Sequence, residues 1–264
     1  MKKTQCCLLV LIVCIIQSCG TNYPNYVSPL ESTAFHYYDI PLQTDSIKTA
    51  TYISGTISLG SSLESNDFIY SFQANIHRSH NLGMIQTYYG AGITAGSFRF
   101  DQFDSYIPYP STNYHGIPPK FFGAYGINGG INVVFNFGSF EWRAIGIEGA
   151  AYNEFGGYLN YRKSAPDSTS SVRETNSFTK SVGGTTDLLW KKRRGTVFGY
   201  KMAIGGFFIA DKNFNGIENY QRPMYFSNTL HLTKGNITAF WQFNIGSYTS
   251  AFQMGINYKL GTKK

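Results

Sequence analysis

The chain has 264 residues, of which 14% are charged, while Tyr and Phe number 20 and 21 and Gly 28; an ordinary soluble domain carries roughly 25% charged residues. The formal charge of +7 is too mild to single out nucleic acid as a partner and is compatible with contact to anionic lipid head groups. Four cysteines stand at positions 6, 7, 14 and 19 and none follows, which excludes disulfides, thiolate metal sites and cysteine catalysis from a mature chain beginning at Cys19.

Residues 1–18 read as a lipoprotein signal peptide. Lys2 and Lys3 form a cationic head, and the apolar run from Cys6 to Ile16 is too short to span a bilayer as a helix but has the length of a secretory apolar region. The run closes on Ile16-Gln17-Ser18-Cys19, which resembles the bacterial lipobox, with Gln17 larger than the usual small residue. The resemblance implies that the Cys19 thiol receives a diacylglycerol, that cleavage makes Cys19 the first of 246 mature residues, and that its amino group is then acylated. Several acyl chains, at about 0.8 kcal/mol per buried methylene, anchor a protein stably where one chain is marginal. The competing reading is an ordinary cleaved signal that happens to contain a cysteine. Removal of Lys2 and Lys3 lowers the formal charge to +5.

Residues 19–50 form a polar stretch without sustained periodicity and read as the lipidated N-terminus and a flexible tether. Within it, Asn22 to Leu42 is Tyr- and Pro-rich and runs into Ile40-Pro41-Leu42. With the lipobox leader and the strand style that follows, this opening resembles uncharacterised outer-membrane β-barrel lipoproteins of the Bacteroidetes. The resemblance implies a cell-envelope, outer-membrane address and carries no catalytic motif and no cofactor.

From Thr51 the pattern switches to period two, the mark of strands with two different faces. Phe68, Tyr70, Phe72, Ala74 and Ile76 alternate with Ile69, Ser71, Gln73, Asn75 and His77; Phe252, Met254, Ile256 and Tyr258 alternate with Gln253, Asn257 and Lys259. Strands are predicted near 51–60, 67–78, 83–99, 121–137, 140–152, 155–163, 178–190, 196–210, 223–234, 237–246 and 248–260. Many exceed the usual five or six residues and suit a tilted membrane crossing. Eleven is odd, and a single-chain bacterial barrel needs an even count. The expectation is therefore all-β: one antiparallel up-and-down β-barrel of about 8–12 strands over residues 51–264. The pieces around Gly156–Arg162 and Phe178–Trp190 are the weakest members. Phe100–Pro119 reads as an ordered surface loop and the Ser/Thr-rich Ser164–Asn176 as a mobile loop tip.

Glu141, Arg143, Glu148 and Lys201 lie within otherwise apolar strands. In a membrane barrel they should face the lumen and pair, because a cation on the lipid face costs about 2–4 kcal/mol at the midplane. By strict alternation Arg143 and Glu148 fall on opposite faces, so both point inward only if a bulge separates them.

Other motifs are weighed against plainer readings. Asp211, Asn213, Asn215 and Gly216 match the opening of a calcium loop, but the twelfth position is Arg222, Glu218 would have to substitute, and the same residues are ordinary turn formers. No metal is therefore assigned. His77-x-x-His80 is predicted at a turn between the second and third strands, without the third ligand a metal would need. Lys191-Lys192-Arg193-Arg194 is predicted at a turn, either meeting phosphate head groups or solvated at a hairpin tip. Asp45-Ser46-Ile47 and Asp167-Ser168-Thr169 resemble the short O-glycosylation sequon of Bacteroidetes. His231 with Thr229 or Thr233 is the one imaginable hydrolytic pair.

The leading expectation is a non-enzymatic, lipid-anchored outer-membrane barrel. Its partners are membrane lipid, through acylated Cys19, and another envelope protein. The alternatives are a tethered soluble barrel binding a lipid or glycan and a barrel-embedded lipid hydrolase. The chain also ends in Lys263-Lys264, not in the aromatic residue common at the end of outer-membrane barrels.

Overall fold

In a computed structural model, the described residues are 25–30, 48–62, 67–100, 117–164, 172–192, 195–208, 224–247 and 249–263. In chain order the elements are β1 (Asn25–Tyr26), β2 (Thr49–Ser62), β3 (Phe68–Asn81), β4 (Ile85–Arg99), β5 (Lys120–Asn136), β6 (Phe140–Phe155), α1 (Gly157–Ser164), β7 (Val172–Arg173), β8 (Phe178–Lys191), β9 (Thr196–Phe208), β10 (Met224–Lys234), β11 (Ile237–Gly246) and β12 (Thr249–Lys263). All strands but β1 and β7 form one closed wall of ten, each antiparallel to its chain neighbour, with β12 pairing back on β2. The expected up-and-down barrel is therefore present, with an even strand count.

One predicted strand, 155–163, is corrected. Phe155 is the last residue of β6, and residues 156–163 do not join the wall: Gly156, at φ +117°, turns the chain away, a backbone state that L side chains rarely adopt. Tyr158, Leu159 and Arg162 are then buried on one face of α1, the i, i+1, i+4 spacing of a helix, not of a strand.

The two-residue period does what composition predicted, with the usual inside and outside exchanged. Outward side chains are apolar and exposed, as in Ile127 at 65% and Ile145 at 67%, whereas inward Gln253 and Ser58 are at 0%. In β12, Phe252, Met254, Ile256 and Tyr258 face out while Gln253 and Asn257 face in. Aromatic rings cluster toward both rims of the outward face. Phe140, Trp190 and Phe198 follow one another at 5.7 Å spacing on one side, and Phe121, Phe155 and Tyr125 at 6.3–6.4 Å on the other. The band between is mostly Ile, with Leu230, Trp241 and Met254 side by side.

The two rims differ. On one, short turns at 82–84, 137–139, 192–195 and 235–236 join the strands, and Gly83, Gly138, Gly195 and Gly235 all carry positive φ. On the other lie the long connections 100–119, 156–177 and 209–223.

Inside the wall, large inward rings lie over glycines on neighbouring strands. A Cβ added to Gly199 would stand 2.0 Å from His231 Nε2. Gly199→Ala is therefore expected to displace the imidazole and lower stability by about 1–3 kcal/mol, the usual cost of overpacking. The check is the urea midpoint of the barrel in detergent; a wild-type midpoint would refute the close fit.

Candidate functional site

Among the described residues the interior carries two ionic clusters. The first depends on an irregularity in β6. Against β8 the register slips between Arg143 and Gly146, and against β5 between Val133 and Val134, so β6 accommodates one extra residue at Ala144. Such a bulge resets the parity of everything beyond it. Arg143 and Glu148, on opposite faces by count, both point inward and are buried, as is Glu141.

Once inside, these charges pair. Arg143 bonds Asp187 on β8 and lies 3.2 Å from Glu141, which also meets Lys191 at 3.1 Å. Asp187 further faces His231 Nε2 on β10 at 3.4 Å. Lys201 on β9 donates to Glu148 at 2.8 Å, and the Tyr88 hydroxyl on β4 donates to the same carboxylate oxygen at 2.8 Å. Five strands are thereby tied across the lumen. Three carboxylates stand against three basic side chains, which is how buried charge is tolerated at all.

An amide and hydroxyl network continues this belt from the row of Asp187 and Lys201 around the wall, since Thr229 pairs with Lys201. Thr229 donates to Gln242 at 3.0 Å; Gln242 donates to Asn244 at 2.8 Å and to Gln253 at 3.0 Å, and Gln253 donates to Ser58 at 3.3 Å. His77 stacks on Tyr52 with ring centroids 4.9 Å apart. Ser58, Asn244 and Gln253 are all at 0% exposure. Inward polar groups lining a wide open channel would be exposed; these are buried.

The second cluster sits at the mouth with the long connections. From α1, Arg162 reaches Glu154 of β6 at 2.5 Å and Glu174, just after β7, at 3.2 Å. Ser28 joins from the other end of the chain: its hydroxyl donates to Glu154 at 2.6 Å and its backbone N–H to Glu174 at 3.2 Å. β1 pairs in parallel with β7, and the Tyr158 hydroxyl donates to the Val27 carbonyl at 3.2 Å. The Arg162 guanidinium also lies 5.2 Å from the centre of the Tyr158 ring. Burial works against its charge, but Glu154, Tyr158 and Glu174 more than offset that and hold its pKa above the ordinary arginine value. Beneath, Leu30 packs with Ile69, Phe98, Phe122, Tyr158 and Ala251 into a core at this rim. Residues 25–30, within the predicted tether, are thus fixed in place.

Several sequence expectations change. His77 and His80 are not at a turn: β3 runs on to Asn81, His77 faces in and His80 stacks outside on Tyr89 at 5.7 Å. On opposite faces they cannot share a metal, and among the described residues no three metal-ligating side chains converge. Of the basic quartet, Lys191 turns inward to Glu141, while Arg193 and Arg194 lie outside the described residues. Thr229 is bonded to Gln242, Thr233 pairs with Thr238 at 2.8 Å, and the described Nε2 contact of His231 is with Asp187. Cys19, the calcium-loop candidates Asp211, Asn213, Asn215 and Glu218, both sequons and most of Phe100–Pro119 also lie outside the described residues.

Sequence reasoning missed the mouth cluster. Glu154 falls between the predicted strands 140–152 and 155–163, Arg162 within the second and Glu174 in a loop, while Ser28 is 126 residues from its partner Glu154. The available signal was Gly156-Gly157 followed by helix-spaced Tyr158, Leu159 and Arg162.

No family model matches the chain, and no curated protein matches it. Among solved structures it is similar to the transport unit of the autotransporter AIDA-I from Escherichia coli, at 11% identity and TM-score 0.37, covering 87% of this chain and 95% of that one. The β domain of the Bordetella autotransporter BrkA follows at 10% identity and TM-score 0.44, covering 80% and 99%. Neisserial surface protein A matches at 9% identity and TM-score 0.36, covering 80% and 97%. At such levels the likeness says nothing of activity.

Proposed function

We propose that this chain is a lipid-anchored outer-membrane β-barrel, held by acyl chains on Cys19, with a non-catalytic structural or partner-binding role in the envelope. The observation that carries the reading is the exchanged wall: exposed Ile, Val and aromatic side chains outside, buried ion pairs and amides inside. Only a lipid surround makes such an exterior favourable, and aromatic rings at both rims are where membrane interfaces place them. A tethered soluble barrel would leave dozens of exposed large hydrophobics in water. The buried inward groups favour holding over conducting, and another envelope protein is proposed to engage the long connections at the Arg162 mouth.

The reading is tested in two steps. Cys19→Ala should abolish incorporation of radioactive fatty acid; persistent labelling sinks the anchor. Cys19→Ser protein should still need detergent and should shift its gel migration on boiling, whereas a freely soluble product sinks the membrane barrel.

A further inference from the structure

The start of the described chain and the start of the wall lie at opposite mouths. Leu30 packs on Phe98, Phe122 and Ala251, beside the long connections, and Ser28 is bonded to Glu154 and Glu174 there. Thr49, which opens β2, pairs with His80 and Lys263 beside the short turns. A fourteen-residue strand, rising about 3.3 Å per residue and tilted by about 40°, puts these mouths about 35 Å apart. Cys19 precedes β1 by six residues. Even fully extended, at about 3.3–3.6 Å per residue, it reaches only about 20 Å from β1. An acyl-bearing residue must lie where head groups meet hydrocarbon, and the far interface lies across an apolar band about 25 Å tall, with the barrel rim still to be crossed. Only the near interface is within reach.

We infer that the N-terminal lipid sits in the leaflet on the side of the long connections. In bacterial barrels long connections face the outside and short turns the periplasm, so this is the outer leaflet, and the lipid group is displayed at the cell surface. The inference rests on the lipid-anchored outer-membrane reading and deepens it by fixing the side. The mouth cluster acts as the clamp that sets the topology: Arg162 holds Glu154 and Glu174, these two grip Ser28, and β7 pairs with β1. The wall begins at the opposite mouth, and the seventeen residues between Leu30 and Lys48 have an extended length of about 55–60 Å, enough to bridge that height.

The experiment is labelling of intact cells with a membrane-impermeant maleimide on single-cysteine additions to the full chain. Thr21→Cys reports the segment between the lipid and β1, Ser168→Cys the long connection after α1, and Ser139→Cys a short turn. Thr21→Cys and Ser168→Cys should label on intact cells, and Ser139→Cys only after permeabilisation. Labelling of Ser168→Cys alone, with Thr21→Cys reached only after permeabilisation, overturns the placement; so does protection of both. Heat-modifiable migration of each variant verifies that the barrel has folded. The anchor reading fails separately: Cys19 of the unsubstituted protein would then itself take the maleimide and no fatty acid, leaving the shared side of Thr21 and Ser168 to be judged alone.

Discussion

Arg162→Leu is expected to weaken the docking of residues 25–30 by about 3–5 kcal/mol, because it leaves Glu154 and Glu174 facing each other in a dry site with no cation between them. Hydrogen exchange at the Ser28 and Leu30 amides should accelerate by two to three orders of magnitude, at about 1.4 kcal/mol per factor of ten, while amides of β10–β12 stay protected. Arg162→Lys should fall between, since an ammonium lacks the planar fork that serves two carboxylates at once. Unchanged exchange at Ser28 would show that the apolar contacts of Leu30 hold the segment unaided.

Arg143→Met is expected to destabilise the wall itself by a similar amount, about 3–5 kcal/mol. It strands Glu141 and Asp187 within the lumen, with Lys191 and His231 as their remaining described partners. The double variant Arg143→Met/Asp187→Leu should recover much of the loss, as replacement of a whole buried pair by apolar groups is often neutral. The measurement is urea unfolding in detergent for both singles and the double. Strict additivity would mean that the two side chains contribute independently and that the belt is not a unit.

Much of this was legible from the sequence, for a definite reason. In a membrane wall every strand has one face in lipid and one in a polar lumen, so alternation in β3 and β12 reports burial directly. The outward set Phe252, Met254, Ile256 and Tyr258 follows from parity alone. Parity also flagged its own exception, since Arg143 and Glu148 conflict without a bulge. It could not locate that bulge, because Ala144 is compatible with either face. The mouth cluster was illegible because its four groups come from four places in the chain, and no local period links Ser28 to Glu154. α1 was misread because eight residues are too few for a helical period to outweigh the strand rhythm around it. The His77–His80 turn was misplaced because β3 extends three residues beyond its apolar alternation, into polar sequence that the ladder to β2 and β4 still pairs.

The seam between β12 and β2 has a bearing on how the molecule comes to exist. Thr249 pairs with Ser62 and Lys263 with Thr49, so the first wall strand finds one of its two partners only in the last. Until β12 has emerged from the ribosome, β2 presents a free edge and the half-built wall a broad greasy surface, the two features that most promote aggregation. Contacts this distant in sequence also form slowly. Closure is therefore a late event, and until β12 pairs with β2 the open edge and the apolar outer face leave the polypeptide exposed to pairing with its own copies.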